Sequence, residues 1–268
     1  MLETSNWVPA GLDVDLPSAA RVYDYLLGGG HNFAGDRVLA EKLTQVLPAR
    51  DMARMNRAFL RRAVLFMVDH GIRQFLDLGS GIPTVGNVHE VTQQAHPDCR
   101  VVYVDYEPVA VAHSELILEG NENATVIQAD LRSPEAILYA TETKRLIDFA
   151  EPLGLLMVGV VQFLPEVEEL YALSAVYRDV LARGSHFALS AFTRDNAPSE
   201  MAGAVDVCKA SQNPIYPRTR AEVLRMFEGY ELVEPGIVMT PEWRPERPED
   251  VGDNAERSNM YAGVGYIP

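Results

Sequence analysis

Cysteine is nearly absent: only Cys99 and Cys208 occur in 268 residues. Their spacing matches no zinc motif and supplies no disulfide framework, so two free thiols and no metal site are expected. Basic runs are missing too. The 23 Lys and Arg stand against 38 Asp and Glu, a formal charge of −15. Nucleic acid is bound through Lys and Arg contacts to phosphate, so it is not an expected partner. No apolar run is long enough to span a bilayer, and the first twenty residues lack the basic head and apolar block of a secretory signal. Neither a membrane association nor export is expected, and the cytoplasm is the expected location. Internal repeats and low-complexity tracts are also lacking.

What is present is an ordinary core-forming balance, with 47% hydrophobic and 23% charged residues. The length fits one large domain, or one domain with a cap. The most conspicuous local feature is LLGGGHNFAGDR, residues 26–37. Its glycine spacing is that of a Walker A loop, but Asp36 and Arg37 stand where Lys and Ser or Thr are needed to bind phosphate and magnesium. The stretch also precedes any strand. It reads instead as a hinge between two helices, the first starting at Ser18 and the second running from Asp36 to Leu47.

A longer helix, about Asp51 to Gly71, leads into a β-α alternation. Strands are expected at 74–78, 100–105, 124–129, 153–163 and 185–192, with helices between them. Such alternation implies a parallel sheet covered by helices on both faces. The end differs: a capping box at Thr219-Arg220-Ala221-Glu222 opens a helix, and two strand-like segments, 230–239 and 258–266, follow with no helix between them. They are expected to pair antiparallel at the sheet edge. The expected fold is α/β, a Rossmann-like doubly wound sheet with a helical lid over residues 1–50 and the nucleotide-binding-type domain over 51–268.

In such sheets ligands bind beyond the carboxyl ends of the strands. There Asp77 precedes the turn Gly79-Ser80-Gly81. Gly79 permits the tight turn, Gly81 a close ligand approach, and the amides beyond can hold an anionic group. A dinucleotide fingerprint wants a third glycine where Thr84 stands. Asp105 ends the second strand, placed to accept two ribose hydroxyls; Asp130, followed by Leu131, ends the third, placed to accept from an adenine amino group. Asp77 can orient an ammonium. Three carboxylates around one crevice suit an adenosine bearing an amine better than a ligand bearing phosphates.

The order Asp77-Leu-Gly79-Ser-Gly81-Ile-Pro83, Asp105, Asp130 resembles the class I S-adenosylmethionine-dependent methyltransferases. ARVYDYLLGGGHNFAGDR, NRAFLRRAV, FLDLGSGIPTVGNVHE and VVYVDYEPV together resemble an actinobacterial-type family of S-adenosyl methyltransferases long classed as a domain of unknown function. The resemblance implies a seven-stranded sheet with its last strand antiparallel, and S-adenosyl-L-methionine or S-adenosyl-L-homocysteine bound through the glycine turn, Asp105 and Asp130. It names no acceptor. Where the family often has His after the fourth strand, this chain has Gln162.

Methyl transfer needs a base only when the acceptor must lose a proton. His31 and His89 are the candidates; His186, within a strand, reads as packing. Asn56 and Arg57, beside Arg54, open the helix leading into the first strand, where one can meet the cofactor carboxylate. Met52, Met55 and Met67 read as core. Tyr23, Tyr25, Asn32 and Phe33 are expected to face cofactor or acceptor from the lid, so Ala at Gly29 and Gly30 is expected to weaken cofactor binding while the sheet stays folded. The acceptor is expected to be a small molecule. A non-catalytic S-adenosylmethionine-binding sensor or partner protein fits the same crevice. A nicotinamide-dependent dehydrogenase is disfavoured by Thr84 and the late antiparallel strands.

Overall fold

A computed structural model describes residues 13–83 and 86–268; the first twelve residues of the expected N-terminal arm, and Thr84, lie outside them. Three helices come first: α1 (Ala19–Leu26), α2 (Ala34–Val46) and α3 (Ala49–Asp69). The alternation follows as β1 (Gln74–Leu78), α4 (Val88–Ala95), β2 (Arg100–Asp105), α5 (Pro108–Ile117), β3 (Ala124–Gln128), α6 (Pro134–Leu138) and α7 (Thr141–Leu146). It continues with β4 (Gly154–Val158), α8 (Val167–Arg178) and β5 (His186–Phe192). The chain ends in α9 (Pro198–Cys208), α10 (Arg220–Arg225), β6 (Glu231–Leu232), β7 (Val238–Met239) and β8 (Met260–Tyr266). Among the described residues no helix is long and apolar enough to cross a membrane.

The sheet order is β3-β2-β1-β4-β5-β8-β6, with β7 also pairing with β8. Strands β1 to β5 are parallel, and β8 runs antiparallel to β5, β6 and β7. The sheet has eight strands rather than seven because the expected 230–239 strand is broken. Pro235 cannot donate to a ladder, and Gly236, at φ +82°, turns the chain so that both fragments return to β8. The expected 153–163 strand is also shorter. Gly159 takes φ +74°, the ladder stops at Val158, and Val161–Phe163 forms a single tight helical turn. Helix α9 was not expected.

Alternation along the strands sorts the core into two faces. Leu76, Leu78, Val102, Val104, Leu155, Met157, Phe187 and Leu189 pack toward α8. Phe75, Val101, Tyr103, Leu156 and Ala188 pack toward Phe59, Val64 and Met67 of α3. Each of the Val, Leu, Phe and Met side chains among them contributes about 1.5–3 kcal/mol through burial. The chain winds from β1 outward to β2 and β3, then crosses to β4 on the other side of β1. This reversal leaves a crevice at the carboxyl ends of β1 and β4.

The N-terminal helices are held over that crevice by ions. Arg21, fully buried on α1, donates from Nε to Asp36 Oδ2 at 2.9 Å and from Nη1 to Glu107 Oε1 at 2.9 Å. Its remaining Nη2 donates to the Leu16 carbonyl at 2.6 Å. Asp36 also accepts from the Ser18 and Phe33 amides at 3.0 and 2.8 Å, and Glu107 caps α5 through the Ala110 amide at 2.7 Å. Removing the cation strands two buried carboxylates, which costs about 3–5 kcal/mol. Arg21→Met is therefore expected to lose about that much stability in urea denaturation. Arg61→Ala, breaking the exposed pair with Glu246, is expected to cost less than about 1 kcal/mol.

Candidate functional site

The turn after β1 is pinned to the end of β2. The Gly79 and Ser80 amides donate to the Val104 carbonyl at 2.8 and 3.1 Å, and the Gly81 amide donates to Asp105 Oδ2 at 2.7 Å. Gly79 sits at φ +75°, and a Cβ there would lie 2.3 Å from a Val160 methyl. Both conformation and packing therefore require glycine. Gly81, at φ +68°, has open space where a Cβ would point.

This turn forms one wall of a cavity of about 410 Å3, within the roughly 300–1,000 Å3 of small-molecule sites. Its polar wall gathers Asp77, Gly79, Gly81, Asp105, Asp130 and Leu131 from the strand ends, with Asn56 and Arg57 from α3. Its apolar wall comes from α1, α2 and α9 and from the loop that ends at Ile215. Helix α9 and that loop contribute residues the sequence reading missed. The signals were there in Pro198 at the first helical position, Glu200 in the first turn, and the apolar spacing of Met201, Ala204 and Cys208.

The carboxylates are tuned by burial. Burial pushes Asp77 up to about 7, with Arg57 opposing and Asp105 adding to the rise. Asp105 is also raised by burial, against the pull of the Glu107, Gly81 and Tyr106 amides; its Oδ1 accepts from the Glu107 amide at 2.9 Å. With three amides directed at it, the Asp105 carboxylate still has acceptor capacity for a further donor. Asp130 is lowered by hydrogen bonding to the Arg132 guanidinium, which reaches both of its oxygens. Asn56 links the sheet to the lid. It accepts from Ser190 Oγ at 2.6 Å and donates to Tyr23 Oη at 3.2 Å.

Other expected site residues stand outside the cavity walls. Tyr25 turns away, donating to Glu41 at 2.8 Å and lying under Arg50. Asn32 donates to Asp24 Oδ2 at 2.8 Å, and the His31 amide donates to the same oxygen at 2.8 Å. The His31 ring packs against His113, with centroids 3.7 Å apart. Phe33 lies against Arg21, and Arg54 is exposed beside Asp51. His89 is buried, its ring Nδ1 2.8 Å from Tyr103 Oη, and burial lowers its basicity. His186 contacts the Gly184 carbonyl at the opposite end of β5. Of the four lid residues, Tyr23 alone lines the cavity. The reason is that the glycine stretch wraps around buried Asp24 rather than over the crevice. Both thiols are buried; Cys208, on the apolar wall, is pushed up to about 11 by burial. Among the described residues no cluster of three or more His, Cys, Asp or Glu could hold a metal ion.

A family model described as S-adenosyl methyltransferase matches residues 5–268. A solved structure from Thermobifida fusca YX, described as a candidate methyltransferase, is 39% identical. The match covers 98% of this chain and 99% of that one, with a TM-score of 0.91. A DUF574 family protein from Streptomyces avermitilis MA-4680 is 34% identical over 96% of this chain and 99% of its own, also with a TM-score of 0.91. The pyocyanin biosynthetic protein PhzM, 18% identical over 82% of this chain and 57% of its own with a TM-score of 0.51, shares the fold alone. None of the curated proteins matches the sequence.

Two predictions follow from the site's geometry. A carboxyl raised from its ordinary value to about 7 binds a proton in the folded state that the unfolded chain has released above about pH 4. Stability from this group is therefore present at low pH and is lost as pH rises through 7. Asp77→Asn is expected to melt several degrees above wild type at pH 8 and close to it at pH 4, by thermal denaturation across that range. The lid glycines separate as well. A Cβ at Gly29 would lie 1.9 Å from Asp24 Oδ1, whereas Gly30 has open space. Gly29→Ala is expected to cost about 1–3 kcal/mol and Gly30→Ala less than about 0.5 kcal/mol, read from the same melts.

Proposed function

The chain belongs to the S-adenosyl methyltransferase family, and from that premise we infer that its strand-end cavity holds S-adenosylmethionine and methylates a small molecule. The residues fit the cofactor. Open space before Gly81 admits a ligand against the backbone. Asp105, at the end of β2 and lining the cavity, is placed to accept from the ribose. Asp77, once ionised, matches the ammonium of the methionine part. Arg57 and Asn56 supply donors for its carboxylate, and Asp130 and Leu131 supply a polar and an apolar contact for the adenine.

When bound, the cofactor supplies a methyl group made electrophilic by the sulfonium. The chain's own contribution is alignment and exclusion of water. Helices α1, α2 and α9 close the apolar side, and the Ser190–Asn56–Tyr23 hydrogen bonds fix α1 against the sheet. Neither His31 nor His89 lines the cavity, so neither is assigned as a base. The observation that carries this reading is the union, in one cavity, of the glycine turn and three strand-end carboxylates with apolar walls.

Calorimetry with S-adenosylhomocysteine and with NAD tests it. Wild type is expected to bind the first and not the second. Asp105→Ala is expected to lose affinity on the order of 100-fold, as for hydrogen bonds to a charged group. Binding of NAD without S-adenosylhomocysteine overturns the reading, as does an Asp105→Ala variant that binds like wild type. Transfer of labelled methyl to a small-molecule panel then identifies the acceptor.

A further inference from the structure

Gln162 is 2% exposed and lines the cavity, two residues beyond the Val160 side chain that packs on Gly79. Its Nε2 donates to the Gly159 carbonyl at 2.7 Å. A carbonyl can only accept, so this bond fixes which end of the amide is nitrogen. The other end, Oε1, is buried and has no hydrogen-bond partner. The backbone around it is held as well, with the Gln162 carbonyl accepting from the Tyr216 amide at 2.7 Å. The acceptor atom is thus fixed in place and unsatisfied, a state that carries a desolvation cost until a donor arrives.

The surroundings define what that donor belongs to. Leu43, Met52, Phe163, Phe192, Ile215 and Met260 form one apolar cluster, and all six also line the cavity. The titratable member of that cluster is Cys208, whose burial keeps it a neutral thiol. Beside these apolar walls, Gln162 Oε1 is a fixed acceptor without a partner on a residue that lines the cavity.

We propose that Gln162 is a specificity-determining residue of the acceptor subsite, which takes a neutral, largely apolar ring compound that donates one N–H or O–H to Gln162 Oε1. The proposal rests on the methyltransferase reading above and extends it to a substrate class. A site with a buried acceptor discriminates against ligands lacking the matching donor, because they leave that acceptor unpaired.

The test uses the full chain saturated with S-adenosylhomocysteine, titrated calorimetrically with matched pairs that differ in the donor. Indole is compared with benzofuran, and 2-naphthol with 2-methoxynaphthalene. In wild type the donor-bearing member of each pair is expected to bind about tenfold more tightly. In Gln162→Met the ratio is expected to fall to near one while affinity for S-adenosylhomocysteine is unchanged. A purely structural role for Gln162 would weaken both members alike and leave the ratio intact, which overturns the proposal. Equal binding of both members to wild type overturns it, as does failure of every compound to bind protein that holds S-adenosylhomocysteine. Should the Met variant not fold, the wild-type ratio decides. Failure of S-adenosylhomocysteine itself to bind instead overturns the methyltransferase reading on which the proposal rests.

Discussion

One buried guanidinium organises the ligand-binding end of the molecule. Arg21 joins the cap of α2, through Asp36, to the cap of α5, through Glu107. Glu107 lies two residues beyond Asp105, and its amide holds Asp105 Oδ1, while Asp105 Oδ2 holds the glycine turn. From α1 to the glycine turn there is a continuous run of charge-assisted bonds. Burying three ions is a poor way to gain net stability, since desolvation offsets most of the attraction. What the arrangement provides is placement. The helices over the cavity and the Asp105 carboxylate are fixed by the same short loop, and neither can shift without disturbing the other.

This constraint explains how a single cavity combines two kinds of surface. The strand ends present backbone amides and carboxylates because the parallel strands end there in turns, which Asp105 ties together through the Gly81 and Glu107 amides. The helices present apolar side chains because α1, α2 and α9 pack on one another and on α3 through apolar clusters whose edges line the cavity. Chemistry that needs an oriented polar cofactor beside a dry acceptor chamber requires both surfaces in contact. A sheet alone supplies only the first.

The parts of this design legible in the sequence were those written in local patterns. The glycine turn and the strand-end positions of Asp77, Asp105 and Asp130 follow from short apolar runs ending in turn residues, and the structure brings all of them to one cavity. The reversed final strand followed from the missing crossover helix. The lid was legible as two helices but not in its orientation. Tyr23 and Tyr25 lie two positions apart on an eight-residue helix, so they point to different sides, and periodicity alone does not say which side meets the sheet. That choice is made by Arg21, and a charged residue on a short helix reads as a solvent-facing one until its two partners, fifteen and eighty-six residues away, are seen. Helix α9 carried its start signals in Pro198 and Glu200, but which of its faces is buried is decided by packing against α2.

The glycine-rich stretch between α1 and α2 shows how steric demands can imitate a nucleotide motif. Gly28, at φ +89°, ends α1 in a conformation costly to residues with a Cβ. Gly29 is small because the Asp24 carboxylate occupies the space beside it. Gly35 is small because a Cβ there would lie 2.8 Å from the Asp15 carbonyl oxygen. These are three separate requirements, and the glycine whose spacing to Gly35 imitates a phosphate loop, Gly30, meets open space. Asp36 and Arg37, which break the Walker pattern, are explained by the same packing. Asp36 is the anion that Arg21 needs, and Arg37 donates to the Asn32 carbonyl and side chain at 3.0 Å. The stretch therefore contributes to the site at one remove. By closing around Asp24 and Asp36 it sets the direction in which α1 leaves the sheet, and that direction carries Tyr23 to the cavity wall.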